Sequence, residues 1–170
     1  VEAMDATRRA RRPVDPGAYE NYLRAMFALG NRWMSGGCRD AEPLLANAVE
    51  RDPAFAPGHA ALAWCYAYPD RLDREFSEVG PKARAAVSAA LALDDRLPLA
   101  HAVNGTISWR MDYAPVRGEA ALRTALELDP SSVLVLIPAA EVLMWRGHVM
   151  DGLALLDRAL ILVGPARFDK

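Results

Sequence analysis

"ALELDPSS" at residues 125–132 and "AVERDPAF" at residues 48–55 spell Ala-x-Glu-x-Asp-Pro twice in one chain. A spelling that recurs at long range marks either a repeated chemical site or a repeated structural unit, and its spacing decides which. The first copy ends on Asp52-Pro53, a degenerate copy, "ALALDDRL", carries Asp94-Asp95, the third ends on Asp129-Pro130, and Val163-Gly164 stands in the fourth place. The second members of these pairs follow one another by 42, 35 and 34 residues. That is the spacing of a helical solenoid whose unit is near 34 residues.

Each copy has the same internal grammar. Before the Asp-Pro lies an apolar or small-residue stripe at i, i+4, i+7: Ala41, Leu45, Ala48; Ala83, Val87, Ala90; Gly118, Leu122, Ala125; Gly152, Leu156, Ala159. This is one face of an amphipathic helix. After the Asp-Pro comes a second helical segment, with Leu62, Ala63 and Tyr66 in one copy and Asn104, Gly105 and Ser108 in the next. Small residues on the first stripe let neighbouring helices approach closely, and a proline past the last turn ends the helix and redirects the chain. The expectation is an all-α chain of helix pairs, in which stacking supplies the core that no pair could build alone.

With its large-small pair Leu62-Ala63, the following aromatic Tyr66, small Ala83 and Ala90, and closing Pro53 and Pro130, the chain resembles the tetratricopeptide repeat family over residues 17–164. His59 and His101 in the tryptophan slot, Asn104 in the large-residue slot, and Asp95 and Gly164 in place of proline depart from the family pattern. The resemblance implies a right-handed α-solenoid of about four helix-turn-helix repeats, eight main helices in all, with residues 1–16 as a basic linker and 165–170 as a truncated tail. It also implies a concave face, lined by the first helix of each pair, that receives a peptide or partner segment. Carried over by position, the groove candidates are Tyr22, Met26, Trp64, Thr106, Trp109, Arg110, Glu141 and Trp145. The competing reading is that some of these tryptophans only fill gaps between repeats. The Lys/Asn pattern that clamps a peptide carboxylate in some members is replaced by Tyr22, Met26, Ala61, Leu99 and Val103, so a chaperone-tail receptor is not expected.

A narrower likeness lies in "DPGAYENYLRAMFALGNRW" and "LPLAHAVNGTISWRMDYAPVRGEAALRTALELDP". These look like the tetratricopeptide region that bacteria attach C-terminal to nucleotidyl cyclase or winged-helix regulator domains. In that company the chain would be a scaffolding or sensory part of a signalling protein. A start at Val1 fits an excised or processed piece.

Local irregularities give further expectations. The long step contains "AYPDRLDREFSEVGPK", read as an inter-helix loop with a short turn near 71–78 and with Pro81 at a first helical position. "ALGNRWMSGGCRD" separates the first two helices with three glycines, and the first helix is expected to run to about Met34. "SSVLVLIPAA" is β-rich by composition and contains Pro138, yet its repeat phase predicts a helix from near Ser132 with a kink.

Composition narrows the function classes. The 170 residues are 52% hydrophobic, enough for one domain. Twenty Lys plus Arg against 22 Asp plus Glu leave a net charge of −2, which gives no global nucleic-acid or lipid footprint. No apolar run is long enough to span a bilayer and no secretory leader is visible, so a cytoplasmic protein is expected. Cys38 and Cys65 form no CxxC pattern and read as buried thiols. No phosphate loop, nucleophile elbow, HExxH or dinucleotide fingerprint occurs, so neither enzyme activity, metal nor cofactor is expected. His59 and His101 occupy equivalent repeat positions and read as packing residues, His148 as a loop residue, and Asp94-Asp95 as helix-end solvation.

The tract "RRARR" (Arg8, Arg9, Arg11, Arg12) reads first as a solvated segment, with a nucleic-acid-associated regulator as the alternative. Nucleic acid is therefore not the leading partner class. "LALLDRALILV" at 153–163 has only Asp157 and Arg158 as polar residues, which predicts an open apolar edge, covered by more chain or by a second copy in a homodimer.

Overall fold

The computed structural model describes residues 13–31, 37–68 and 74–164. Among them the chain forms eight α-helices and no strand: α1 (Pro16–Asn31), α2 (Gly37–Arg51), α3 (Ala56–Ala67), α4 (Phe76–Leu93), α5 (Pro98–Arg110), α6 (Pro115–Leu128), α7 (Val133–Trp145) and α8 (Val149–Val163). The tightest packing joins α1 with α2, α3 with α4, α5 with α6 and α7 with α8. Consecutive pairs then touch through α3 on α5 and α5 on α7, and through α2 on α3, α4 on α5 and α6 on α7. The architecture is thus a stack of helix hairpins in which odd-numbered helices form a continuous layer.

The small-residue stripes carry the pairing. All twelve expected positions are buried except Leu156, which is half-buried. Where the second helix of a pair meets the first, even a methyl would not fit. A Cβ built on Gly118 falls 2.9 Å from the Gly105 carbonyl oxygen and 2.9 Å from Trp109 Cβ, and one on Gly105 falls 2.6 Å from Leu122 Cγ.

The repeated aspartate acquires a specific role. Asp52, Asp94 and Asp129 each accept a hydrogen bond from the backbone N–H two residues on, at Ala54 (3.1 Å), Arg96 (2.9 Å) and Ser131 (2.9 Å). A short carboxylate that satisfies its own turn is the reason aspartate leads these junctions. Two histidines reinforce them: the rings of His59 and His101 reach back to the Pro53 and Asp95 carbonyls at 3.0 and 2.7 Å. Because a carbonyl only accepts, Nε2 carries the proton in both. The fourth junction lacks this device and ends instead on Gly164 at φ +72°.

Several local expectations are settled. "SSVLVLIPAA" is helical, with Ser132 as the residue before α7 and Pro138 inside it. Val135, Ala139 and Val142 bury together at i, i+4, i+7, so tertiary packing overrides β propensity. Cys38 and Cys65 are buried, and His148 precedes α8 in the loop after α7.

Other expectations need correction. Pro81 is not at a first helical position, because α4 begins five residues earlier at Phe76. A proline inside a helix costs about 3 kcal/mol, and the burial of Val79, Ala83 and Val87 together, about 1.5–3 kcal/mol for each valine, offsets it. Two of the three glycines expected between α1 and α2 lie inside helices, Gly30 and Gly37. The expected turn near 71–78 is overtaken at its end, because 76–78 open α4; its residues 71–73, the expected continuation of α1 to Met34 and the Arg8–Arg12 tract lie outside the described residues.

One large cluster, built around Leu45, Trp64, Tyr68 and Val79, fills the first two pairs and reaches Val103 and Ile107 on α5. A smaller one, around Leu122, Val135 and Val142, fills the last two. The open apolar edge expected at 153–163 is present on α8, where Leu153, Leu160, Ile161 and Leu162 are exposed, and α1 also exposes Tyr19, Leu23 and Phe27. No helix among the described residues is long and apolar enough to cross a membrane.

Candidate functional site

The C-terminal ends of α5 and α7 lie side by side and enclose an open pocket of about 500 Å³, lined by Trp109, Tyr113, Pro115, Val142, Trp145 and Arg146. Trp109 is seated over one glycine, since Gly118 leaves the space its Cβ needs. The Trp109 and Trp145 rings stand 5.1 Å apart, tilted by 51°. Trp145 is 76% exposed, an unusual condition for the largest apolar side chain.

The turn between α5 and α6 supplies the third ring. Tyr113 adopts φ +53° and is 87% exposed. A left-handed backbone costs a residue with a Cβ about 1–2 kcal/mol. The turn holds it there through Asp112 N–H to the Ile107 carbonyl (3.1 Å) and Ala114 N–H to the Ser108 carbonyl (2.8 Å). Pro115 then starts α6 with its φ already helical.

Guanidinium groups frame the rings. Arg146 Nε lies 3.2 Å from Glu119 Oε2, while Arg123 Nη2 lies 2.9 Å from Glu119 Oε1. Asp112 is shared in the same way, by Arg84 at 2.6 Å and Arg117 at 2.5 Å. Arg110 stacks over Tyr68, its Cζ 4.9 Å from the ring centre, and faces Glu141 at 3.7 Å.

Of the groove candidates, Trp109 and Trp145 share the pocket and Arg110 and Glu141 pair beside it. Trp64 and Thr106 are fully buried and are not surface residues. The core of the first two pairs closes over Trp64, and the Thr106 hydroxyl donates to the Ala102 carbonyl one turn back at 3.0 Å. Tyr22 and Met26 are half-buried against the large core cluster and do not join the pocket. The Tyr22 ring meets Phe55 edge-on at 5.2 Å, and burial raises its hydroxyl above the ordinary range.

Tyr113, Pro115, Val142 and Arg146 were not among the sequence candidates. The signal for two of them lay in "DYAPV" at 112–116, an aromatic residue in a turn just ahead of a helix-starting proline.

The lining holds rings, aliphatic groups and one guanidinium, which suits recognition by contact and charge. Among the described residues no group of three or more His, Cys, Asp or Glu side chains is placed to hold a metal ion.

No protein-family model matches the chain, and no curated protein matches it. Among solved structures, the one described as "Functional Characterization of Pseudomonas Aeruginosa pilF" is 20% identical, covers 85% of this chain and 77% of its own, and superposes with a TM-score of 0.34.

Proposed function

We propose that the chain is a non-catalytic protein-interaction module that holds a segment of a partner at the α5/α7 end of its odd-helix layer. The observation that carries this reading is the exposure of Trp145 beside Trp109 and Tyr113 in one pocket. Aromatic side chains and arginine dominate the energetics of protein interfaces, and large exposed apolar surface marks a docking place. The sequence likeness to regions that follow nucleotidyl cyclase or winged-helix domains supports a scaffolding role inside a cytoplasmic bacterial signalling protein. The exposed face of α8 is a second contact surface, suited to self-association.

A photo-crosslinking phenylalanine analogue placed at position 113 tests the reading in the host cell. The expected result is a chain-plus-partner adduct that disappears when Trp145→Ala is added. Absence of any adduct, or an adduct indifferent to Trp145, would remove the pocket from the function. A chain-plus-chain adduct alone would reassign it to self-association.

A further inference from the structure

We infer that the α5/α7 pocket takes an extended, proline-bearing acidic segment of a partner protein; this rests on the reading of the chain as an interaction module and names the chemistry of what it binds. Two independent features carry the inference.

The first is the shape and chemistry of the walls. Trp109 and Trp145 pack against one another, tilted by 51° with their centres 5.1 Å apart, and form one aromatic wall of a pocket that Tyr113 and Pro115 also line. Grooves walled by aromatic rings suit polyproline II segments, whose pyrrolidine rings are compact and apolar. Their backbone is largely fixed before binding, so little ordering entropy is lost. Tyr113 fits the same purpose: an exposed tyrosine in a left-handed turn places a ring beside the pocket at a cost to the fold.

The second feature is the charge of the rim. Four guanidiniums, Arg84, Arg117, Arg123 and Arg146, share two carboxylates, Asp112 and Glu119. Each carboxylate is flanked by two guanidiniums, which leaves one positive charge in surplus at Asp112 and one at Glu119. Arg146, the charged group of the lining itself, stands where it would attract a carboxylate and repel an ammonium. An aromatic box for a lysine or methyl-lysine would carry the opposite wall charge, so the rings do not serve cation recognition here.

Three fluorescein-labelled peptides of equal length, alternating Pro-Glu, Pro-Lys and Gly-Glu, provide the test by fluorescence anisotropy on the whole chain. The Pro-Glu peptide is expected to bind about tenfold or more tighter than either of the others, more weakly as salt is raised. Trp145→Ala is expected to weaken it about tenfold or more with unchanged helical circular dichroism, and Arg146→Glu to shift preference toward Pro-Lys. The inference is overturned if Pro-Lys or Gly-Glu binds as well as Pro-Glu, if no peptide binds, or if Trp145→Ala leaves affinity unchanged. Should that happen while a crosslink from position 113 still captures a partner through Trp145, the interaction reading stands and only the ligand chemistry falls. Failure of both experiments removes both.

Discussion

The second helix pair and the fourth occupy the same repeat register and treat equivalent residues oppositely. Eleven residues after the junction stand Trp64, Thr106 and Glu141; fifteen after it stand Tyr68, Arg110 and Trp145. At the first position Trp64 and Thr106 are fully buried while Glu141 is half-exposed, and at the second exposure climbs from 1% at Tyr68 to 76% at Trp145. The cause is stacking. Tyr68, just past the end of α3, is covered by Arg110 from the next pair, with Trp64 on α3 packed 4.7 Å from it. Trp145 stands on α7, the last odd-numbered helix among the described residues. A repeat position is therefore core or contact surface according to whether another pair lies over it.

The sharpest way to break this comparison is to truncate both tryptophans. Trp64→Ala is expected to cost about 3–5 kcal/mol, because it empties a large site that packing cannot refill. Trp145→Ala is expected to change stability by no more than about 0.5 kcal/mol. Urea denaturation followed by circular dichroism measures both, and equal losses would mean that the fourth pair is as closed as the second.

This contrast also explains what was legible in the sequence. The helix pairs, their junctions and the small-residue stripes could be read directly, because Ala41, Ala83, Gly118 and Gly152 recur in phase and phase survives substitution. The helical state of the valine-rich 133–137 stretch was readable for the same reason, against its local propensity. The groove was only half readable. Register placed Trp64, Thr106 and Trp145 on one layer, but register carries no information about which copy is covered from above. Tyr113 and Arg146 escaped because they sit in or just beyond helix ends, where a repeat template specifies little and loop geometry decides.

A second intervention acts on the seat of the site. Gly118→Ala places a methyl 2.9 Å from both the Gly105 carbonyl and Trp109 Cβ. Backbone cannot yield there, so about 1–3 kcal/mol is expected to be lost as α5 and α6 separate. Trp109 would move with α5, so its emission maximum is expected to shift in a Trp145→Phe background that removes the neighbouring indole. An unaltered melting curve would show that the close crossing is not what holds the pocket's inner wall.

Tyr113 sharpens the comparison from the opposite direction, since the turn of the third pair carries its strain beside the open face of the fourth. Tyr113→Gly relieves a left-handed backbone and removes a side chain that packs little, so stability is expected to rise by up to about 1 kcal/mol. Peptide affinity is expected to fall at the same time. A variant that is both less stable and equally able to bind would show that Tyr113 belongs to the fold and not to the surface.

The smallest effect is silent at neutral pH and belongs to the closed pair. Tyr66, on α3, has its hydroxyl pushed up to about 12, first by burial and then by the charge and hydrogen bond of Glu42 on α2, while Arg74 opposes the rise. Arg74 in turn holds Glu42 at 2.9 Å, so three elements meet at one phenol. A folded-state value above the ordinary 10 means that the unfolded chain releases this proton first as pH rises. The associated stability is therefore complete below about 10 and is lost progressively as pH climbs toward 12. Urea midpoints across that window are expected to fall more steeply for the wild-type chain than for Tyr66→Phe. Glu42→Gln should lower the Tyr66 value without returning it to 10, because burial, the larger cause, is left in place. Parallel slopes for wild type and Tyr66→Phe would place this phenol in water, and with it would go the closure of the second pair on which the contrast with Trp145 depends.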